Sequence, residues 1–238
     1  MYLQKIGSYW FVTALLVSGC VPARASVTVF TDFNTWQSAT SNVNTIAFEG
    51  IAGANGFTQY NGGSNGDTLT IGSVSFQGFD HASTGLDLEV NNQVPSWGTG
   101  AILQGPGHFD GNSRIVATVG GGVFAIGSDV FNNNGGTPDS GSVNVVLSTD
   151  ATIYTVNTIA GLTGHAFIGF VSTTPITSIA FFPSSPDPVA IDNFSTGGQA
   201  ASPTPEAATT ILCGIGLLLM GWRFRRNVNS DVGGPLCA

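Results

Sequence analysis

Positive charge is scarce in this 238-residue chain. Between residues 26 and 202 there is one cation, Arg114, against twelve carboxylates and no lysine, a formal balance of −11. Nucleic-acid binding rests on neutralising phosphates with Lys and Arg, so that partner is excluded, and anionic polymers are disfavoured for the same reason. Neutral polysaccharides and divalent cations remain open. Cysteine is equally sparse, and Cys20, Cys213 and Cys237 all fall outside 26–202. That segment therefore has no disulfide, no thiolate metal site and no cysteine nucleophile. A domain without cross-links must rely on a packed core or on bound calcium. Long amphipathic helical patterns are missing as well, and no fixed-period repeat is evident.

What the segment has instead is β-forming sequence. Short runs rich in Val, Ile, Thr and Phe occur at 26–30, 45–48, 68–76, 86–90, 101–103, 114–119, 123–131, 143–147, 152–159, 166–171, 176–182 and 189–194. Turn residues, among them Asn61-Gly62, Asn65-Gly66 and Asn134-Gly135, separate them. Alternation in Ser73-Val74-Ser75-Phe76 suits half-buried antiparallel strands. Asp32-Phe33-Asn34-Thr35-Trp36-Gln37 is the one helical segment, with Asp32 as cap and Phe33 and Trp36 on one face. It is expected to tuck against a sheet edge. The predicted fold is all-β: an antiparallel, jelly-roll-like β-sandwich over 26–202 with one short helix.

The two ends carry a different signal. Lys5 precedes an uncharged run over 6–19, and Ala23-Arg24-Ala25 supplies a small-x-small cleavage pattern. Residues 1–25 therefore read as a signal peptide. Cys20, in Val17-Ser18-Gly19-Cys20, offers a lipidation site as an alternative. Near the other end, Pro203-Thr204-Pro205-Glu206 leads into an apolar run over 207–222, then Arg223-Phe224-Arg225-Arg226. Sixteen residues of helix measure about 24 Å, against about 30 Å of hydrocarbon. The run reads as a short transmembrane helix. Its arginines belong on the cytoplasmic side, the preceding domain outside.

This tail resembles the PEP-CTERM sorting signal of exported bacterial proteins. Pro205 and Glu206 match the motif, Ala207 stands where the family has its second proline, and Arg223, Arg225 and Arg226 form the basic stop. The resemblance covers residues 203–226 and leaves 227–238 as a cytoplasmic extension. It implies an exosortase-like membrane enzyme as partner, cleavage near Pro205-Glu206, and a place at the cell surface or in the extracellular matrix.

Candidate site residues inside the domain are fewer. Glu49, after Ile46-Ala47-Phe48, and Asp192, in Ile191-Asp192-Asn193, are similar to two calcium ligands of jelly-roll carbohydrate-binding modules. Carboxylates from an early and a late strand would clip the chain ends through one cation. The stretch from Asp129 to Asp139 reads as an oxygen-rich loop that could hold calcium or face a sugar. Tyr60, Trp97 and Phe109 sit in Gly/Pro/Ser-rich surroundings and are candidates for stacking on sugar rings. Asp87 and Glu89 fall on one face of a strand, and a jelly-roll hydrolase would use such a pair as acid and base or nucleophile. His81, His108 and His165 show no ligand spacing. Gly62-Gly63-Ser64-Asn65-Gly66 matches a nucleophile elbow in letters only, since it lacks a helix after it. The expectation is a non-enzymatic structural or carbohydrate-binding protein, with a polysaccharide hydrolase or lyase as the alternative.

Overall fold

The computed structural model describes residues 26–62, 67–79, 88–92, 100–106, 113–134, 137–160, 165–183 and 188–200. Contacts divide the chain into Met1–Gln199 and Ala200–Ala238, and all of the second unit but Ala200 lies outside the described residues.

The first unit runs β1 (Val27–Phe30), α1 (Phe33–Ser38), β2 (Thr40–Ile46), β3 (Phe57–Tyr60), β4 (Leu69–Ile71), β5 (Val74–Phe79), β6 (Leu88–Asn91) and β7 (Ile102–Gln104). It continues with β8 (Arg114–Val119), β9 (Ala125–Asn134), β10 (Thr137–Asp139), β11 (Gly141–Leu147), β12 (Asp150–Thr158), β13 (Ala166–Ser172), β14 (Ser178–Pro183) and β15 (Val189–Gln199). Two sheets result. The larger has the order β1-β13-β9-β15-β7-β6-β3, with β10 beside β9 and β2 beside β15. The smaller has the order β12-β11-β14-β8-β5-β4. Every described pairing is antiparallel.

Side chains from both sheets meet in one core, so the molecule is a β-sandwich. Phe76 of β5 contacts Phe48 edge-on at 5.5 Å and Phe194 of β15 at 5.1 Å. Leu69, Ile115, Val143 and Phe181 from the smaller sheet share this core with Val90, Leu103, Ile126 and Ile191 from the larger. The smaller sheet is covered on one side, and its strands alternate accordingly: β5, β8 and β14 bury every second residue. β13 and β15 are buried along nearly their whole length. Continuous burial means that both faces of a sheet are covered, and the larger sheet is covered on its outer side as well.

Part of that outer cover is α1. Asp32 caps it, its Oδ1 accepting from the Thr35 amide at 2.8 Å. Trp36 is fully buried and its Nε1 donates to the Phe170 carbonyl at 3.1 Å. A methyl group at Gly169 would overlap the Trp36 ring, and one at Gly127 would meet Phe167. Two glycines in adjacent strands thus make the seat for the indole. The expectation that the helix tucks against a sheet edge is met in part: it touches the edge strand β1 but lies chiefly on the outer face, against β13 and β2.

Two further expectations are corrected. The run 68–76 is no single strand: Gly72, at φ +60°, turns the chain between β4 and β5. The stretch from Asp129 to Asp139 is a hairpin and not a loop, with Asp139 opposite Asn132 and Thr137 opposite Asn134. Its asparagines pair through their backbones, which sequence composition does not reveal. The expected transmembrane helix, with Pro205, Glu206, Arg223, Arg225 and Arg226, lies outside the described residues. Among the described residues no helix is long and apolar enough to cross a membrane.

Candidate ligand pocket on the outer sheet face

Strand register places three outer-face residues in a row. Asp129 of β9 stands opposite Phe167 of β13 on one side and Asp192 of β15 on the other. Opposed residues of antiparallel strands project from the same face. Asp192 is fully buried and Asp129 is 8% exposed. Two carboxylates so placed repel, and the local structure works to stabilise them.

The stabilising device is a bulge. The β15–β9 register shifts between Asp192 and Ser195, and Asn193 adopts φ 47°. Asparagine tolerates this left-handed conformation better than most residues. The bulge turns its amide across the sheet, where Nδ2 donates to Asp129 Oδ2 at 2.8 Å. The Asn193 backbone N–H donates to Asp192 Oδ1 at 2.7 Å. Below, the buried Ser128 hydroxyl lies 2.9 Å from both the Asp129 and the Asp192 carbonyls. Ser195 Oγ donates to the Asn193 carbonyl at 3.0 Å and lies 2.8 Å from Thr45 Oγ1 of β2.

Over this row opens a pocket of about 310 Å³, lined by Phe33, Thr45, Asp129, His165, Phe167 and Asn193. Phe33 and Phe167 pack edge to face, 5.5 Å between centroids at 85°. His165 precedes β13 and is 42% exposed, with Nε2 4.0 Å from Asp129 Oδ1. Burial pushes the Asp129 carboxyl above its ordinary range, and the Asn193 amide and His165 hold it back in part. The pocket therefore offers aromatic walls, one carboxylate, one amide, one imidazole and one hydroxyl. That set can stack against a sugar ring and hydrogen-bond its substituents.

A second polar group lies on the same outer face at the far end of the sheet. Gln59, Glu89 and Gln104 form one cross-strand row through β3, β6 and β7. The Asn91 amide donates to Glu89 Oε1 at 3.1 Å and lies 3.4 Å from Gln104 Oε1. Phe57, opposite Asn91, is 51% exposed. Buried Ile102, Phe131 and Ala190 form a small apolar cluster apart from the main core.

The residues singled out from sequence divide as follows. Asp129, His165 and Asp192 come together, although sequence reasoning grouped Asp192 with Glu49, Asp129 with the stretch to Asp139, and His165 with neither. Glu49 is exposed, and a methyl group at Gly100 would meet its carboxylate. Glu49 follows β2, which pairs with Phe194, and Gly100 precedes β7, which pairs with Ile191. Glu49 and Asp192 thus both lie near the point where β15 changes partner from β7 to β2. Among the described residues no group of three or more His, Cys, Asp or Glu is arranged to hold a metal ion. Tyr60 is corrected: it ends β3 and packs, half-buried, against the main core. Trp97, Phe109, Asp87, His81 and His108 lie outside the described residues. Sequence reasoning missed Asn193, Thr45 and the Phe33–Phe167 walls. The sequence held one hint for Asn193, since asparagine tolerates the left-handed conformation that some bulges require.

Fold and pocket define the class: an antiparallel β-sandwich with a polar and aromatic recess on one outer face. No protein-family model matches the chain, and no curated protein matches it. Among solved structures it is similar to a family 11 carbohydrate-binding module from Clostridium thermocellum, in complex with a β-1,3-1,4-mixed-linked tetrasaccharide. Identity is 13% over 68% of this chain and 99% of that one, with a TM-score of 0.32. A family 29 carbohydrate-binding module from Piromyces equi shows 11% identity over 76% and 96%, TM-score 0.28. The catalytic unit of a GH87 α-1,3-glucanase from Streptomyces thermodiastaticus shows 14% identity and a TM-score of 0.31. The match covers 66% of this chain but 28% of that glucanase unit. The sandwich assignment rests on this chain's own sheet pairings.

Proposed function

We propose that this chain is an exported surface or extracellular-matrix protein whose jelly-roll-like sandwich binds polysaccharide without cleaving it. The observation that carries the reading is the outer-face pocket, where two phenyl rings flank an Asp, an Asn, a His and a Thr. Its size suits one sugar residue of a longer chain. The binding reading is favoured over hydrolysis because Asp192 is fully buried and cannot touch a substrate. One carboxylate alone does not make the acid-and-base pair that glycoside hydrolysis uses. Export rests on the signal-peptide pattern over 1–25, and sorting on the PEP-CTERM-like tail with Pro205 and Glu206 read by an exosortase-like enzyme. Calcium between Glu49 and Asp192 would tie the end of β2 to β15.

Calorimetric titration with neutral glucan, N-acetylhexosamine and hexosamine oligosaccharides tests the binding reading. Binding of at least one class, weakened in His165→Ala and Thr45→Val, is expected. Failure of all three classes to bind ends it. Cleavage of any of them, lost in Asp129→Asn, would replace it with a hydrolase.

A further inference from the structure

We propose that the outer-face pocket selects a cationic saccharide, one carrying a free amine such as a deacetylated hexosamine polymer. This rests on the reading of the pocket as a saccharide site and narrows it to one chemistry.

The single Lys or Arg in residues 26–202 is Arg114, on β8 of the other sheet. Its guanidinium stacks there over Phe79 at 4.7 Å and Phe182 at 5.7 Å. Among the described residues lining the pocket, His165 is the one basic group. Its Nε2 stands 4.0 Å from Asp129 Oδ1, longer than a hydrogen bond. Oδ2 already accepts from Asn193. Oδ1 is thus the carboxylate oxygen turned towards His165, with a gap between them.

Next comes what surrounds that oxygen. Asp192 stands directly opposite on β15 and adds a second acidic group beneath the pocket. Phe33 and Phe167 line the pocket with aromatic carbon, against which an ammonium is held favourably where it meets a ring face. Buried carboxylates with few donors favour a partner that brings positive charge. A neutral sugar would give Asp129 a hydroxyl and leave the charge. An ammonium would donate to Oδ1, neutralise it and lie against aromatic carbon in one placement.

Charge-assisted hydrogen bonding predicts that the amine binds about tenfold to a hundredfold tighter than its N-acetylated counterpart. The preference has a pH signature. Among the described residues the titratable groups facing Asp129 are His165, leading into β13, and Asp192 on β15; Thr45 of β2 and Phe33 of α1 carry no charge. Acid removes the charge on Asp129, whose carboxyl burial already raises above its ordinary range. That loss weakens amine binding as pH falls.

The acidic domain also attracts any polycation at long range, and that must be separated from the pocket. The test is calorimetric titration of the full chain, purified in mild detergent, with matched glucosamine and N-acetylglucosamine oligomers at 0.15 M salt. Variants are Asp129→Asn in the pocket and Asp67→Asn, an exposed carboxylate before β4. The expected result is an amine preference that disappears in Asp129→Asn and persists in Asp67→Asn. Equal or tighter binding of the N-acetylated oligomer overturns this inference and leaves the carbohydrate reading standing. An amine preference that survives in Asp129→Asn also overturns it, since the general field would then be its source. If neither oligomer nor a neutral glucan binds, both readings fall together. Should Asp129→Asn not fold, the His165 and Phe167 ring resonances of the wild type decide the matter. Shifts there on adding glucosamine oligomer uphold the inference, and shifts confined elsewhere overturn it.

Discussion

Asp129 has the opposite pH behaviour to Asp32 and Asp150. Its carboxyl is raised by burial, whereas Asp32 is lowered by the Thr35 side chain and Asp150 by the Tyr154 hydroxyl. A raised folded value contributes stability that is full below the unfolded value near 3.8 and is lost as pH rises through the folded one. Lowered values contribute stability above 3.8 that is lost as pH falls through their folded values. Asp129→Asn removes the first contribution without touching the others. The urea midpoint of wild type relative to this variant is expected to decline from acid towards neutral pH. An equal offset at every pH would show that Asp129 carries no buried charge. At the same scale, Gly169→Ala should displace Trp36 and cost about 1–3 kcal/mol, the usual penalty of overpacking. Thermal unfolding, with a shift in indole fluorescence, measures it. Asp129 fell in a stretch singled out from sequence and His165 was set aside for want of ligand spacing; their meeting was not legible, because the β9–β13 register decides it.

Among the elements, β15 does most to position the site. It is the longest strand, and its bulge at Asp192-Asn193 falls where its neighbour changes from β7 to β2. A straight strand there would continue the β9 register and carry the Asn193 side chain to the core face. Asn193→Gly keeps the positive φ and loses the amide; Asn193→Ala loses both. The alanine variant should therefore be the less stable by about 1 kcal/mol, as read from chemical denaturation. Equal stability of the two would mean that the bulge does not hold Asn193 in its left-handed conformation. Helix α1 was legible because its cap and aromatic spacing are local. The β4–β5 turn and the Asn-rich hairpin were not. Gly72 and the asparagines from 132 to 134 have the same composition in a strand, a turn or a loop, and pairing partners far away in sequence select among these.

For the whole molecule, the proposals of export, sorting and calcium binding make separable predictions. Mass spectrometry of the native protein should show loss of residues 1–25 and of the segment after about Pro205. An untrimmed chain would remove the sorting proposal while leaving the pocket untouched. Chelation should lower the melting temperature by several degrees, and less so in Glu49→Ala; an unchanged midpoint in chelator removes the calcium proposal. The sequence by itself determined the all-β class, the acidic and disulfide-free domain, the short capped helix and the two hydrophobic ends. Each of these is written in composition or in neighbours a few residues apart. Only the tertiary structure decided that Phe33, Thr45, Asp129, His165, Phe167 and Asn193 share one recess. Antiparallel register joins residues more than a hundred positions apart, and a single bulge decides which face each side chain takes.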